Sequence, residues 1–221
     1  MKVLLSPRLA GIASKVLRGA RVLDIGTDHG YIPVYLLQNG VSDFAIAADI
    51  NEKPLERAMG NIEKAGFTDK ILTVCTNGAQ GIDPALYDTV IIAGMGGILI
   101  SEILADIPED KKLILQPMTG IPELRKYLYE NGYEILDEQL AREEEKIYVI
   151  ITAQKNYKTV KPTDLDIYFG RFDNQQLKKE YAQIIKQKTE KIIAGMLSAK
   201  NTDDVLISKY TSLKKELEKI K

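Results

Sequence analysis

The 221-residue chain has no tryptophan, one histidine and one cysteine. A single cysteine excludes an internal disulfide, and one Cys with one His excludes a Cys/His zinc cluster, so no metal is expected. Cys75 falls in an apolar stretch that reads as a buried strand, where a free thiol serves as a small apolar filler. No segment approaches the roughly 18 uninterrupted apolar residues of a membrane span. Residues 1–9 include Lys2, Pro7 and Arg8 and lack the apolar run of a signal peptide. The expectation is a cytoplasmic, monomeric protein with no membrane partner. Internal repeats and low-complexity tracts are also missing.

What is present fits one sizeable core plus an appendage. The net charge of −1 hides an asymmetry. Residues 1–154 carry 15 Lys and Arg against 22 Asp and Glu, whereas residues 155–221 carry 15 against 9. Opposed charge in two segments suggests a division of labour. A basic appendage supplies the sequence-independent attraction that a phosphate backbone requires; a lysine-rich solvated helix surface would look the same.

Apolar strands alternate with helical patterns through residues 1–154. Strands are expected at 22–25, 44–49, 71–75, 88–93 and 112–115, with helices at 31–38, 54–65, 98–104 and 122–130. Two further strands, 133–140 and 146–153, flank the acidic turn 142–145. This is βαβ alternation closing with a hairpin, an α/β fold with a largely parallel sheet covered on both faces. Residues 155–173, which include Pro162, read as a connector. From Asn174 the period becomes helical: Leu177, Tyr181, Ile184, Lys188, Ile192 and Met196 form one seam, and Leu206, Lys209, Leu213, Leu217 and Ile220 another. Asn201, Thr202 and Asp203 supply a turn and an N-cap between them, which makes a coiled-coil hairpin.

Residues 22–31, VLDIGTDHGY, are the most informative stretch. A strand, a tight glycine loop and a helix N-terminus form the nucleotide-cradling corner of a doubly wound sheet. The centre of this loop is Asp28, where a pyrophosphate site needs a bare glycine. A carboxylate there repels phosphates but attracts the ammonium and sulfonium of S-adenosylmethionine. A nicotinamide-dependent oxidoreductase is the competing enzyme class. Asp49 ends the second strand at the position that binds ribose hydroxyls in such folds, although Glu52 three residues later also gives it a capping-box pattern. After the third strand, the Asn77 side-chain amide is placed to meet an adenine edge, beside Gly78.

The loop VLDIGTDHGY, the sequence AGMGG at 93–97, LILQPM at 113–118 and LSPRLAGIA at 4–12 resemble the bacterial tRNA adenine-N1 methyltransferases of the TrmK family. The resemblance covers the whole chain. It implies a class I methyltransferase, a Rossmann-like seven-stranded sheet with a C-terminal helical hairpin, that uses S-adenosyl-L-methionine to modify N1 of adenine 22 in tRNA. The division would be a cofactor-binding domain over 1–154 and a basic, tRNA-docking helical domain over 155–221. A methyltransferase acting on another RNA base or a small molecule, or a non-catalytic RNA-binding module, is the alternative.

The cofactor-facing set comprises Arg8, Asp24, Gly26, Thr27, Asp28, Gly30, Asp49, Ile50, Asn77, Gly78, Ala93, Gly94 and Met95. Arg8 would clamp the cofactor carboxylate or an RNA phosphate. The catalytic candidates are Asp28, His29, Gly94 and Gln116. His29, the one histidine, either ties the loop to the sheet or contacts substrate. Gln116 is placed to hydrogen-bond the base. Gly96 and Gly97 would leave room for a flat ring, Pro117 on the same sheet edge is a further substrate-binding candidate, and Lys178, Lys179, Lys186 and Lys188 would meet RNA phosphates. The motif of Asn or Asp followed by Pro-Pro-aromatic, typical of exocyclic-amine methylation, is missing after the fourth strand.

Overall fold

The computed structural model describes residues 2–157, 160–173, 175–198 and 203–220. Its elements are α1 (Pro7–Ala13), β1 (Val22–Ile25), α2 (Tyr31–Gln38), β2 (Ala45–Asp49), α3 (Glu52–Ala65) and β3 (Ile71–Cys75). There follow β4 (Thr89–Gly96), α4 (Gly97–Leu104), β5 (Lys112–Thr119), α5 (Ile121–Glu130), β6 (Tyr133–Glu143) and β7 (Lys146–Lys155). The C-terminal part adds α6 (Asp164–Tyr168), α7 (Gln175–Leu197) and α8 (Asp204–Leu217).

The seven strands form one sheet in the order β3-β2-β1-β4-β5-β7-β6. Strands β1 to β5 pair in parallel, and β7 runs antiparallel to both β5 and β6. Alternate residues feed opposite faces, as a strand's period of two requires. Leu23, Ile25, Val90 and Ile92 join one apolar cluster, and Val22, Ile91, Ile114 and Ile150 the other. Both faces are therefore covered, which is why these strands read as continuous apolar runs. The chain order reverses between β1 and β4, and a crevice at their carboxyl ends is where such sheets bind ligands.

Several sequence expectations change: β5 runs on through Thr119 instead of ending at Leu115, and β6 takes in Arg142 and Glu143 of the expected acidic turn. Strand β4 runs on through Gly96 instead of ending at Ala93, with register irregularities against β5 at Met95. Cys75 is exposed, because β3 is the sheet's edge strand and its burial pattern ends open. Residues 155–173 are more than a connector. Thr163 caps α6 through a reciprocal capping box with Asp166. Phe169 and Phe172 are 1% and 3% exposed and belong to the same apolar cluster as β1 and β4.

A buried ion pair lies under that segment. Arg125 Nε donates to Glu138 Oε1 at 2.8 Å, Arg125 Nη1 donates to the Ile167 carbonyl, and Arg171 N donates to Glu138 Oε2. Gly170, at φ +97°, passes so close that a Cβ would sit 2.4 Å from Arg125 Nη2. Burial raises the Glu138 carboxyl above its ordinary range, and the Arg125 guanidinium opposes that.

In the helical hairpin Asp203 caps α8 by accepting from Leu206 N at 3.0 Å; Asn174, Asn201 and Thr202 lie outside the described residues. The buried face of α7 is Tyr181, Ala182 and Thr189, whereas Lys188 is exposed and Ile192 is 39% exposed. The expected seam is displaced because α7 serves two neighbours. Tyr181 packs with Phe169 and Phe172 in the core, and Leu213 and Leu217 of α8 join that same cluster.

Candidate active site

The loop after β1 turns at Gly26, whose φ of +80° favours glycine. Gly26 N and Thr27 N both donate to the Ala48 carbonyl, at 2.8 and 3.0 Å, which lashes the loop to β2. Gly30, at φ +66°, opens α2; a Cβ there would lie 3.3 Å from that of Ala58 on α3. The Met95 side chain lies over Gly26, with Cε 2.3 Å from where a Cβ would stand. Gly26 thus lets the end of β4 close against the loop, a role invisible in the local pattern.

Three carboxylates surround this crevice. Asp24 is buried at 5% exposure, and its carboxyl is pushed up from 3.8 to about 6, first by burial. The Thr27 side chain lowers it, and the charge of Asp49 raises it further. Asp49 ends β2, and its Oδ1 accepts from Asn51 N at 2.8 Å. Thr76 N donates to the Asp49 carbonyl, so Asn77 and Gly78 follow β3 at the same sheet edge. Ile50 is 62% exposed and lines a small surface hollow with Cys75 and Arg57. Asp28 is exposed; His29 Nε2 lies 3.2 Å from one of its oxygens and Arg57 Nη1 3.5 Å from the other.

His29 stacks on Tyr31, with centroids 5.0 Å apart and planes 12° from parallel. Its carbonyl accepts from Asn61 Nδ2. Tyr31 is 38% exposed and carries no role in the sequence reading beyond starting α2. Its place in D-H-G-Y, one residue past the glycine, was the available signal.

The end of β4 divides into two parts. Gly94 is exposed at φ +81° with open space on its Cβ side, beside half-buried Ala93 and Met95. Gly96 has Thr119 Oγ1 3.3 Å from a virtual Cβ. Gly97 is a correction: it is buried, and a Cβ would stand 2.1 Å from the Gly120 carbonyl oxygen. Glycine is needed there for packing between the β4 and β5 ends, not for acceptor space.

Gln116 and Arg8 are also corrected. Gln116 is fully buried, its Oε1 accepting from Arg8 Nη1 at 2.7 Å and its Nε2 donating to the Pro117 carbonyl at 2.9 Å. Its side chain braces the carboxyl-terminal end of β5 from within the core instead of standing free toward the crevice. Arg8 is committed to Gln116, to Glu143 at 3.7 Å and to the Tyr148 ring at 5.5 Å. It joins α1 to β5, β6 and β7 instead of facing the crevice with a free guanidinium. Pro117 is buried beside it. On α7, Lys186 pairs with Glu218 at 3.1 Å, while Lys178, Lys179 and Lys188 have no ion pair among the described residues.

The crevice has the donor set that S-adenosylmethionine needs. Its carboxylates suit a cationic ligand, and the Gly94 backbone at the end of β4 is bare, with open space beside it. No group of metal-holding side chains occurs among the described residues.

Comparison with known proteins agrees. The family model described as a methyltransferase domain matches residues 5–151. The tRNA (adenine(22)-N(1))-methyltransferase of Bacillus subtilis is 32% identical over 83% of this chain and 79% of its own. The structure of M. capricolum TrmK in complex with S-adenosyl-homocysteine superposes with a TM-score of 0.81 at 31% identity, covering 97% of this chain and 96% of that one. Streptococcus pneumoniae Sp1610, a putative tRNA (m1A22) methyltransferase in complex with S-adenosyl-L-methionine, gives 0.82 at 31%, covering 97% and 100%. On this likeness in sequence and in fold along nearly the whole chain, the protein belongs to the bacterial tRNA (adenine(22)-N1)-methyltransferase family.

Proposed function

We propose that this chain is an S-adenosyl-L-methionine-dependent methyltransferase acting on N1 of adenine 22 in tRNA. The observation that carries the reading is the acidic crevice at the ends of β1 and β2, bordered by the bare Gly94 backbone of β4. Asp49 would hold the ribose hydroxyls and Asn77 the adenine edge, with Gly78, Ile50 and Ala93 beside them. Asp24 and Asp28 bring negative charge toward the cationic part of the ligand.

The donor, when bound, supplies a methyl group already activated on a sulfonium. The residues therefore contribute position more than acid–base chemistry, and a near-attack geometry is worth about 7–11 kcal/mol of barrier. Adenine N1 attacks with its own lone pair, so no proton is removed first. Positive charge develops on the ring as the bond forms, and carboxylate or carbonyl oxygens near the exocyclic amine stabilise it. Asp28 and the Gly94 backbone are the candidates for that role. The His29–Tyr31 stack offers a planar wall beside the loop. The Arg8–Gln116 bond braces the end of β5, where Pro117 stands opposite Met95 and Thr119 opposite Gly96 of β4.

The basic segment 155–221 serves to dock tRNA in this proposal. Lys178, Lys179 and Lys188, which have no ion pair among the described residues, supply positive charge on α7, and counterion release makes such binding salt-dependent. Nucleoside mass spectrometry of unmodified tRNA treated with protein and donor tests the activity. 1-Methyladenosine should form in a transcript with adenine at position 22 and not when that base is changed; no methylation of either transcript would refute it.

A further inference from the structure

A second cavity, of about 690 Å³, lies between the helical hairpin and the sheet. One wall is the carboxyl-terminal end of β5, including Pro117 and Met118, with Tyr148 of β7. The other is α7, from Tyr181 to Ile192, and Tyr168 and Tyr210 close the end. None of the expected cofactor residues lines it.

We propose that this cleft is a nucleotide subsite, which takes an unstacked nucleotide of the substrate RNA flanking the methylated base. The inference rests on the tRNA methyltransferase reading. Continuity is the first argument. Thr119 and Gly120 border the cleft and also meet Gly96 and Gly97 at the end of β4. A strand delivering one base to β4 therefore passes over Met118, which is 44% exposed, and its neighbour reaches the cleft. Size is the second, since the volume lies in the range of small-ligand sites, roughly 300–1,000 Å³.

The lining gives the third argument. Tyr148, Tyr168 and Tyr210 are half-buried and present ring surface, and single-stranded RNA is recognised by stacking bases on such rings. Arg8 fixes one face of Tyr148 from behind, 5.5 Å from the ring centroid. Tyr168 is held edge-on by Tyr210 at 5.4 Å. Four charges surround this apolar body: Lys146 and Lys188, without ion pairs among the described residues, and the exposed carboxylates of Glu123 and Glu145. A nucleotide uses both signs, phosphate against lysine and base amino groups against carboxylate. An apolar helix of a partner would leave all four charges unmet.

The test is steady-state methylation of an unmodified tRNA transcript by the full chain. Tyr148→Ala removes a ring, and Ile192→Trp fills the cleft from an exposed position without touching the core. Each should raise KM for tRNA about tenfold, the scale of one lost base–aromatic stack, while donor affinity stays at the wild-type value and Ile192→Trp keeps the wild-type melting temperature. Tyr148→Phe should restore normal KM. A photoreactive benzophenone amino acid at position 192 should crosslink to nucleotides flanking the target adenine. KM within twofold of wild type for both variants, or crosslinks confined to distant parts of the tRNA, would overturn the subsite. So would loss of a concentration-dependent dimer in Ile192→Trp with KM unchanged, which would assign the face to a second copy of the chain. Failure of the wild type to methylate tRNA refutes the parent reading instead, so the two failures are distinguishable.

Discussion

Replacing Asp24 by asparagine separates what this carboxylate does to the fold from what it does for the ligand. The side chain is 5% exposed and its carboxyl is raised from 3.8 to about 6, with burial the largest cause. Between those two values the folded chain keeps a proton that the unfolded chain releases. Stability from this group is therefore fully present below pH 3.8 and is lost as pH rises through about 6. Above that, both states are ionised and the buried charge costs about 3 kcal/mol, taking 1.36 kcal/mol per unit. Asp24→Asn keeps the shape without the charge. In the ligand-free protein it should match the wild type near pH 4 and be more stable by about 2–3 kcal/mol at pH 7.5. Thermal melts of both proteins across that range read the difference directly. Calorimetric titration at pH 7.5 should show weaker binding of S-adenosylmethionine by the variant, since the attraction for a cation is gone. A stability difference between the two proteins that does not change with pH would refute the assignment of a strained buried carboxylate.

Asp49→Ala should weaken donor binding by about 1–3 kcal/mol, the scale of hydrogen bonds to a charged acceptor; unchanged calorimetric affinity in a folded variant removes it from the ribose site. Gly97→Ala should destabilise the fold visibly in denaturant melts, because its Cβ would meet the Gly120 carbonyl. Gly94→Ala, with open space but a φ of +81°, should cost only about 1 kcal/mol of stability and lose turnover. Arg125→Ala leaves Glu138 buried without its partner and should cost about 3–5 kcal/mol in the same melts. Lys188→Glu should lower tRNA affinity and flatten its salt dependence in filter binding, whereas Lys186→Glu breaks the ion pair with Glu218 and should lower the melting temperature as well.

The central strands were legible because they carry apolar residues on both faces, and the helices because glycine or a capping residue punctuates them. The cofactor loop was legible because strand, glycine turn and helix are contiguous, so spacing alone encodes the geometry. What failed to show depends on partners far away in the chain. Gln116 looks like a free amide at a strand end until Arg8, 108 residues earlier, bonds to it. Gly97 looks like bare acceptor space until Gly120 packs against it. Residues 155–173 look like a linker because Phe169 and Phe172 have no periodic neighbours; they are buried against Tyr181 of α7, while the Arg125–Glu138 pair bonds the backbone at Ile167 and Arg171. Cys75 was misplaced for a related reason, since local apolarity does not reveal which strand will be at the edge.

The contacts of α1 have a consequence for how the chain folds during synthesis. Arg8 N donates to Glu143 Oε2, 135 residues downstream, and Gly11 packs within reach of Ile150 and Ala141. Ile12, fully buried, sits in a cluster that also needs Ile114 and Ile150. α1 can meet α2 as soon as that helix is made, but much of its docking surface is missing until β6 and β7 have emerged. At about 5–20 residues per second, α1 waits through about 7–28 s of synthesis with part of its apolar surface exposed. Such a long closure places the last step of core assembly late and makes the nascent chain dependent on its final strands. A ribosome stalled before residue 150 should hold an open sheet, with α1 still accessible to protease.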